Sequence, residues 1–495
     1  MKRRRLDLTL ATVAAGLLAT GLSAQQHGAE PSRVVRLNRA PVNKEILRVH
    51  LPRPVETRLA NGLTVLVLEE HKLPAVTFAL WIKTGALADP KDVPGLAKFT
   101  AEMLREGTTH RTSAQVASDV DEIGATLTAS ADFGSSISSV FATGLSESAE
   151  RLLDLVSDVV LNPTFPEDEL AKYRTRELAD LEQERSRPNF LASEKFHQVL
   201  YRTFPAAVAS ATPDSVKRAT PEALRQFHDR YYAPNNAILC LVGDVKVDQA
   251  VALIKKYFGD WKSHPVQAPD PGRLPAPAPF KIYLVNRPQS VQTNIVAGDY
   301  AVKRSDADFI PLTVTNRVLG GGPQARLFLN LREEHGYTYG AYSFFNADVY
   351  PGAWQAFTEV HNNVTDGSMH ELMAEFKRIR EQKVPDNELD EARRSIVANF
   401  ALSLERPASL LNSWLTVNYY KLPPDYWDRY PEQVAKVTPE IVQQEAGRYV
   451  DLNHLQVVCV GDGSQPGNQQ GDKIKDVLRK YGPLEVYDVE GKRLE

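Results

Sequence analysis

The chain has 495 residues, of which 43% are hydrophobic and 24% are charged. This composition is typical of a folded globular protein, and the length exceeds the roughly 250 to 300 residues at which a single core stops growing. The formal net charge is -4 and no dense basic run follows the N-terminus, so the sequence offers no strong electrostatic attraction to nucleic acid.

The N-terminus has the layout of a secretory signal. A basic tetrad at 2–5 precedes a largely apolar run at 8–22, and we expect cleavage after Ala24, which leaves an N-terminal extension at 25–50. Leu22 is bulkier than the small residue usual three positions before the cut, so an uncleaved membrane anchor stays open as an alternative. We expect the protein to be exported, to a bacterial periplasm or the medium, with membrane contact only if the signal is uncleaved.

Strand and helix patterns follow without strict alternation. Period-two and apolar runs predict strands at 63–68 and 76–82, and helical periodicity predicts helices at 96–104, 113–123 and 147–160. This order favours an α+β fold, a largely antiparallel sheet covered by helices, over a doubly wound parallel sheet.

The sequence repeats itself once. Thr220-Pro221-Glu222 returns as Thr438-Pro439-Glu440, and Val242-Gly243-Asp244 returns as Val460-Gly461-Asp462, each 218 positions later (438 - 220 and 460 - 242). Each Thr is expected to cap a helix that begins with Pro, and each Val-Gly-Asp to end an apolar strand. The repeat predicts two homologous halves at 51–263 and 281–480, with a C-terminal tail at 481–495.

The segment at 264–280 is rich in proline and is expected to be a stiff linker that joins the halves into a clamshell. Cys240 and Cys459 are the only cysteines, and each lies in an apolar strand-like run of a different half. Export permits a disulfide, but we expect two unpaired core thiols because strands of different halves lie too far apart for a bridge.

One helix of the first half carries the most specific motif. The run from Gly95 to Thr108 resembles the signature helix of the pitrilysin/insulinase family of zinc metallopeptidases, whose active members have H-x-x-E-H there. Histidines at i and i+4 share a helix face and chelate zinc, and the Glu beside the second one activates the bound water. The corresponding positions in this chain are Lys98, Ala101 and Glu102. The resemblance therefore implies a degenerate zinc motif, with no metal and no catalytic residue on this chain alone.

The resemblance places the third zinc-ligand position of the family near Asp180. No two of the eleven histidines are spaced to share a helix face, so we expect no second zinc motif. The simplest interpretation of Lys98 and Glu102 is an i,i+4 ion pair, which stabilises a helix by about 0.2–0.5 kcal/mol.

A second motif is retained. The run from Gly320 to Gly340 resembles the other hallmark of the family, in which an Arg and a Tyr seven residues later reach towards the zinc, and the matching residues are Arg332 and Tyr339. A guanidinium orients a carbonyl or carboxylate, and a phenol donates to an oxyanion. The ordinary alternatives are a solvated helix charge for Arg332 and a half-buried strand aromatic for Tyr339.

Gly320, Gly321 and Gly322 open this second motif. Without side chains they are expected to form a loop that an extended peptide can approach closely. A phosphate-binding loop is only weakly indicated, because neither a G-x-G-x-x-G nor a Walker pattern is present.

The resemblance extends from about Leu59 to Asp462 and implies how the chain works. Some pairs in the family divide the work, with zinc on one subunit and the Arg/Tyr pair on the other, and this sequence matches the second type. We therefore expect a non-catalytic, substrate-positioning subunit of a heterodimeric zinc peptidase. Its partner is a homologous H-x-x-E-H chain that carries the zinc, and its substrate is a peptide or small unfolded protein. A scaffold subunit and a peptide-binding protein without peptidase function stay open as alternatives, as does a homodimer.

Overall fold

The structure is a computed structural model that describes residues 47–267 and 270–495. The expected signal at 1–24 and most of the expected extension at 25–50 lie outside the described residues. Among the residues described, no helix combines the length and apolar content needed to cross a bilayer.

The first half contains six strands and eight α-helices. They are β1 (Val55–Arg58), β2 (Thr64–Glu69), β3 (Ala75–Ile82), α1 (Leu96–Met103), α2 (Ser113–Glu122), β4 (Thr126–Ser130), β5 (Ser138–Leu145), α3 (Ala149–Leu161), α4 (Glu167–Arg185), α5 (Pro188–Tyr201), α6 (Pro213–Arg218), α7 (Pro221–Tyr231), β6 (Ala237–Gly243) and α8 (Val247–Phe258). The strands form one sheet in the order β1-β2-β6-β3-β5-β4, in which only β2 and β6 pair in parallel.

The second half repeats this plan. Its elements are β7 (Lys281–Asn286), β8 (Gln292–Tyr300), α9 (Phe309–Leu319), α10 (Arg326–Phe328), β9 (Thr338–Phe345), β10 (Ala353–His361), α11 (Thr365–Glu381), α12 (Asp386–Ser403), α13 (Pro407–Tyr419), α14 (Tyr426–Ala435), α15 (Pro439–Tyr449), β11 (Gln456–Gly461), α16 (Ile474–Arg479) and β12 (Leu484–Tyr487). A π-helix at Leu329–Glu334 continues α10. The sheet order is β12-β7-β11-β8-β10-β9, so the predicted α+β fold of two homologous halves is confirmed.

The repeated Thr-Pro-Glu motif acts as predicted. The Thr220 hydroxyl accepts the N–H of Ala223 at 3.2 Å where α7 begins, and the Thr438 hydroxyl accepts the N–H of Ile441 at 3.3 Å where α15 begins. Each motif thereby satisfies one of the N–H groups that a helix start leaves without a partner, and the Pro at the first helical position needs none.

In each half, the helices of that half cover one face of the sheet. The opposite face is covered by a helix that comes from the other half. From the first half, α5 packs Phe196 and Leu200 against Val296 and Val458 of the second sheet. From the second half, α13 packs buried side chains against the first sheet, and this shared core contains Leu66, Leu68, Ile238, Cys240, Leu410, Leu411, Trp414 and Leu415. The halves therefore interlock through two apolar cores in addition to the connecting segment.

The C-terminal segment, the two cysteines and the proline-rich segment were each given a predicted role. The segment at 481–495 is not a separate tail, because β12 pairs in parallel with β7 and becomes the edge strand of the second sheet. Cys240 on β6 and Cys459 on β11 are buried, unpaired thiols on corresponding strands, as predicted, and burial raises the pKa of Cys459 to about 12. The described part of 264–280 forms no helix or strand, and its role as a linker stays a prediction.

Candidate functional site

The helix that carries the degenerate zinc motif is fixed at its N-terminus by a half-buried carboxylate. Asp89 accepts the N–H of Gly95 at 2.7 Å and the N–H of Ala97 at 2.8 Å, so it caps α1 from the preceding loop. Gly95 has a φ of +97°, which a residue with a side chain rarely adopts. Burial raises the pKa of Asp89 to about 7, although both hydrogen bonds favour the charged form.

Lys98 projects from α1 into a cluster of oxygen atoms. Its ammonium donates to Glu102 Oε2 at 3.0 Å, to Tyr173 Oη at 3.2 Å and to Glu177 Oε2 at 2.8 Å. Tyr173 and Glu177 lie on α4, so the cluster ties α1 to α4. We call these four residues the Lys98 cluster.

The protonation states in the Lys98 cluster follow from its contacts. Burial lowers the pKa of Lys98, but the hydrogen bonds and charges of Glu177 and Glu102 outweigh it and leave that pKa above its ordinary value. Burial and the same two carboxylates raise the pKa of Tyr173 far above its ordinary range. Tyr173 therefore stays a neutral phenol, and it donates to Glu102 Oε2 at 2.5 Å while accepting from Lys98.

The structure corrects the position of the third carboxylate. Asp180, where the sequence places it, is exposed on α4, whereas Glu177 faces α1 and contacts Lys98. Three residues fall about 60° short of a full helical turn, and this rotation leaves Asp180 on the exposed side of α4. Glu177, rather than Asp180, is therefore the carboxylate of α4 that contacts the motif helix.

The residues of the Lys98 cluster do not fit a zinc ion. A zinc site needs lone pairs from several neutral imidazoles, thiolates or carboxylates, and here an ammonium that repels metal cations lies between the two carboxylates. Ala101, at the position of the general base, is a fully buried methyl group without proton affinity. Within 47–267 and 270–495, no group of three or more His, Cys, Asp or Glu side chains is arranged to hold a metal.

The retained motif is built at the junction of a π-helix and an edge strand. Arg332 lies in the π-helix, which ends at Glu334, and Gly336 then adopts a φ of +65° to turn the chain into β9. Tyr339 is the second residue of β9, at the edge of the second sheet. Single π-helical turns are rare and occur frequently at functional sites.

Both side chains of the retained motif are accessible. Tyr339 is 87% exposed, and the Arg332 side chain is 46% exposed. The Arg332 guanidinium lies 4.8 Å from the centroid of the Phe328 ring, and its Nε is 3.6 Å from Glu333 Oε1. Neither the guanidinium nor the Tyr339 hydroxyl hydrogen-bonds another described residue, so both are available to a ligand.

The three glycines have a packing role that the sequence did not indicate. A Cβ on Gly320 would lie 2.4 Å from the N and Oγ atoms of Ser343 on β9, and a Cβ on Gly322 would lie 2.6 Å from Nη1 of Arg317. The glycines therefore let the loop after α9 pass close to β9 and fold back on the side chain of Arg317 in α9. Whether a peptide also approaches them stays a prediction.

The structure also shows a group of aromatic rings near Arg332 that the sequence did not predict. The ring of Phe357 on β10 lies 5.9 Å from that of Tyr342 and 5.8 Å from that of Phe344, and Tyr342 lies 5.4 Å from Phe328 beneath Arg332. Phe344 and Phe357 are 45% and 39% exposed. Alternation of aromatic residues at 342 and 344 was the available signal. We call Phe328, Tyr342, Phe344 and Phe357 the aromatic face.

Comparisons with known proteins agree with this geometry. Residues 64–214 match the model of the insulinase family (peptidase family M16), and residues 218–396 match that of the peptidase M16 inactive domain. An uncharacterised zinc protease of Rickettsia felis is 27% identical over 357 residues, which cover 71% of this chain and 84% of the relative. An uncharacterised zinc protease of Mycobacterium leprae is 27% identical over 369 residues, which cover 73% of this chain and 80% of the relative.

Solved structures are similar over most of their length. The crystal structure of a peptidase M16 inactive domain from Pseudomonas fluorescens has a TM-score of 0.77 and 26% identity, and covers 82% of this chain and 97% of that chain. A protease from Helicobacter pylori also has a TM-score of 0.77, but at 18% identity this is a likeness of fold alone. With both family models matched in sequence and the zinc-motif positions occupied by Lys98, Ala101 and Glu102, the chain belongs to the insulinase family, peptidase family M16, as a member with a degenerate zinc motif.

Proposed function

We propose that this chain is the non-catalytic, substrate-positioning subunit of an exported heterodimeric zinc peptidase. The partner is a homologous chain with an intact H-x-x-E-H motif that carries the zinc. The observation that carries the proposal is the contrast between the two motifs. Lys98 fills the first with an ammonium, whereas Arg332 and Tyr339 in the second are exposed and hydrogen-bond no side chain among the residues that the structure describes.

The chemistry of the exposed pair suits a peptide. The Arg332 guanidinium can bind a peptide carbonyl or a carboxylate through two parallel N–H groups. The Tyr339 hydroxyl can donate to the carbonyl oxygen of the peptide bond under attack, where negative charge develops. Both act on the substrate directly, so this chain contributes to the reaction without holding a metal.

The interlocked halves support a two-chain arrangement. Separating the halves would expose both shared cores, which include Phe196 on α5 and Trp414 on α13. Exposing large apolar side chains costs about 1.5–3 kcal/mol each, so the chain behaves as one block. A chamber that opens for a peptide and closes around it therefore requires a second chain.

Peptide cleavage by reconstituted mixtures tests the proposal. Quenched peptides are incubated with this chain, with the zinc-carrying chain, and with both, and Arg332→Ala and Tyr339→Phe are compared with Arg429→Ala, a control at an exposed arginine of α14. We expect cleavage only by the mixture, and a loss of about 10- to 1000-fold in kcat/KM for the two motif variants. Arg429→Ala should match the unmodified chain.

The same assay separates the alternatives. Cleavage by the zinc-carrying chain alone, indifferent to Arg332 and Tyr339, would leave a scaffold role. Tight peptide binding by this chain without any partner would favour a peptide-binding protein. Native mass spectrometry of each mixture establishes whether complex formation survives the substitutions, so that a loss of activity is not confused with a loss of assembly.

Export is the second part of the proposal. It rests on the basic tetrad at 2–5 and the apolar run at 8–22. N-terminal sequencing of the native protein from a periplasmic fraction should give Gln25 as the first residue. A first residue of Met1 in a membrane fraction would indicate an uncleaved anchor.

A further inference from the structure

The ammonium of Lys98 has the contacts of a bound cation rather than those of a surface ion pair. An ammonium has three N–H donors, and Glu102, Tyr173 and Glu177 supply an acceptor for each within 3.2 Å. The acceptors come from two helices, α1 and α4. Aromatic rings lie beside the same nitrogen, with the centroid of Tyr173 at 5.7 Å and that of Phe99 at 6.0 Å.

Lys172, a lysine on α4, shows the contacts of an ordinary surface ion pair. Lys172 donates to Glu169 at 2.8 Å within the same helix, and its side chain is 60% exposed. The Lys98 side chain is 23% exposed, and the side chain of its partner Glu177 is 15% exposed. Removing one charge of a shielded pair leaves the other uncompensated, whereas exposed pairs contribute little to stability.

We propose that the Lys98 ammonium is the resident cation of this site, and that it takes the structural place of a metal by joining α1 to α4. On this view the lysine does two things at once. It neutralises carboxylates that would otherwise repel each other, and it occupies the space that a diffusible cation would need. Shortening the side chain should then convert the Lys98 cluster into an empty cation site. This inference does not depend on the proposed function.

Two variants that differ only in the space left behind test the idea. Lys98→Ala removes three carbons and the nitrogen, which are the atoms of propylammonium, whereas Lys98→Met removes the charge and keeps most of the volume. Lys172→Ala is the matched control on α4. Melting temperatures are measured in propylammonium chloride and in sodium chloride at equal ionic strength.

We expect Lys98→Ala and Lys98→Met to lower the melting temperature by about 3–6 °C, and Lys172→Ala by about 1 °C or less. Propylammonium should restore most of the loss in Lys98→Ala and none in Lys98→Met, because only the first leaves room for it. Equal losses for Lys98→Ala and Lys172→Ala would overturn the proposal, as would equal effects of propylammonium on both Lys98 variants.

A third variant keeps the test decisive if Lys98→Met fails to fold. Lys98→Met/Glu102→Gln/Glu177→Gln removes the ammonium together with both carboxylates. If the lysine acts as a counter-cation, this triple variant should fold and melt closer to the unmodified protein than Lys98→Met does. A triple variant that is less stable than Lys98→Met would show that packing, rather than charge compensation, explains the role of Lys98.

Discussion

The two halves share the order and pairing of five sheet strands, β2-β6-β3-β5-β4 and β7-β11-β8-β10-β9, but differ in what they place around them. Between α1 and α4 the first half has the charged Lys98 cluster, whereas the corresponding helices of the second half, α9 and α12, pack through an apolar core that includes Leu312, Leu389 and Ile396. Ile396 stands 219 positions after Glu177 (396 - 177), the offset at which Glu388-Leu389 repeats Glu169-Leu170. The second pair of helices also has one polar contact, in which Arg317 on α9 donates to Ser395 on α12 at 2.5 Å. One fold therefore supports a charged cluster between these helices in one half and a mainly apolar contact in the other.

The outer strands of the two sheets also differ, but here the more distinctive surface is in the second half. In the first sheet, neighbouring β4 and β5 bring together hydroxyl groups, with Ser130 and Ser139 at 3.3 Å. In the second sheet, β9 and β10 carry three of the four rings of the aromatic face, Arg332 lies over the fourth ring, Phe328, and Tyr339 is also on β9. The half with the degenerate zinc motif thus has hydroxyl groups at its outer edge, and the half with the retained motif has exposed aromatic rings there.

The largest expected effect restores a metal site to the first half. Lys98→His/Glu102→His places two imidazoles at i and i+4 opposite Glu177, which completes three ligands for zinc. After dialysis, elemental analysis should find about one zinc per chain. Because Ala101 stays a methyl group, zinc retention rather than peptide cleavage is the readout.

The control for the metal site uses the same chemistry elsewhere. Lys377 and Glu381 form an exposed i,i+4 pair on α11 at 4.0 Å. Lys377→His/Glu381→His should retain much less zinc after dialysis. Equal retention by the two double variants would mean that Glu177 does not act as the third ligand.

The next largest expected effect is a loss of stability when the cores shared by the two halves are truncated. Phe196→Ala on α5 and Trp414→Ala on α13 each truncate a buried aromatic side chain that packs on the sheet of the other half. Each should lower the free energy of unfolding by about 3–5 kcal/mol, measured by urea denaturation. Tryptophan fluorescence and far-UV circular dichroism should report one transition. Separate transitions for the two halves would contradict the view that they form one block.

Local signals explain most of what the sequence predicted. The strands β2 and β3 and the helices α1 and α2 lie within two residues of their predicted bounds, because alternation and helical periodicity act over short stretches. The Thr220 and Thr438 caps also depend on neighbours three residues away. The repeat adds a second copy of each local signal, which is why the two-half architecture was readable.

Features that depend on distant contacts were missed. Nothing in the α5 or α13 sequence indicates which sheet each helix covers, because apolar periodicity identifies a buried face but not its partner. On α4 most side chains are charged or polar, so periodicity gave no register for the third carboxylate and Glu177 had to be found from its contact with Lys98. The strand β12 was assigned to a tail because the first half has no repeat of it.

A smaller effect is a pH dependence in the second half. Burial raises the pKa of Asp299 on β8 to about 7, although the N–H of Tyr300 and the nearby His454 favour the charged form. The folded state therefore holds a proton that the unfolded state loses near pH 4. Stability from this group is greatest at low pH, declines as the pH rises towards 7, and is constant above about pH 8.

Asp299→Asn tests this pH dependence, since an amide resembles the protonated carboxyl. The stability of the unmodified protein relative to Asp299→Asn should fall by about 2–3 kcal/mol between pH 5 and pH 8, in urea denaturation at both values. Other carboxylates titrate in both proteins and cancel in the difference. A difference that is independent of pH would show that Asp299 is ionised in the folded protein at pH 5.

The smallest expected effect separates function from stability at the retained motif. Arg332→Ala and Tyr339→Phe should change the free energy of unfolding by about 0.5 kcal/mol or less, because Tyr339 is 87% exposed and neither polar group bonds another described residue. Phe328→Ala, which removes the buried ring beneath Arg332, should cost about 3 kcal/mol or more in the same urea titrations. A loss above about 1 kcal/mol for either motif variant would place that residue in the architecture of the second half, since a ligand-facing side chain contributes to binding only when the ligand is present.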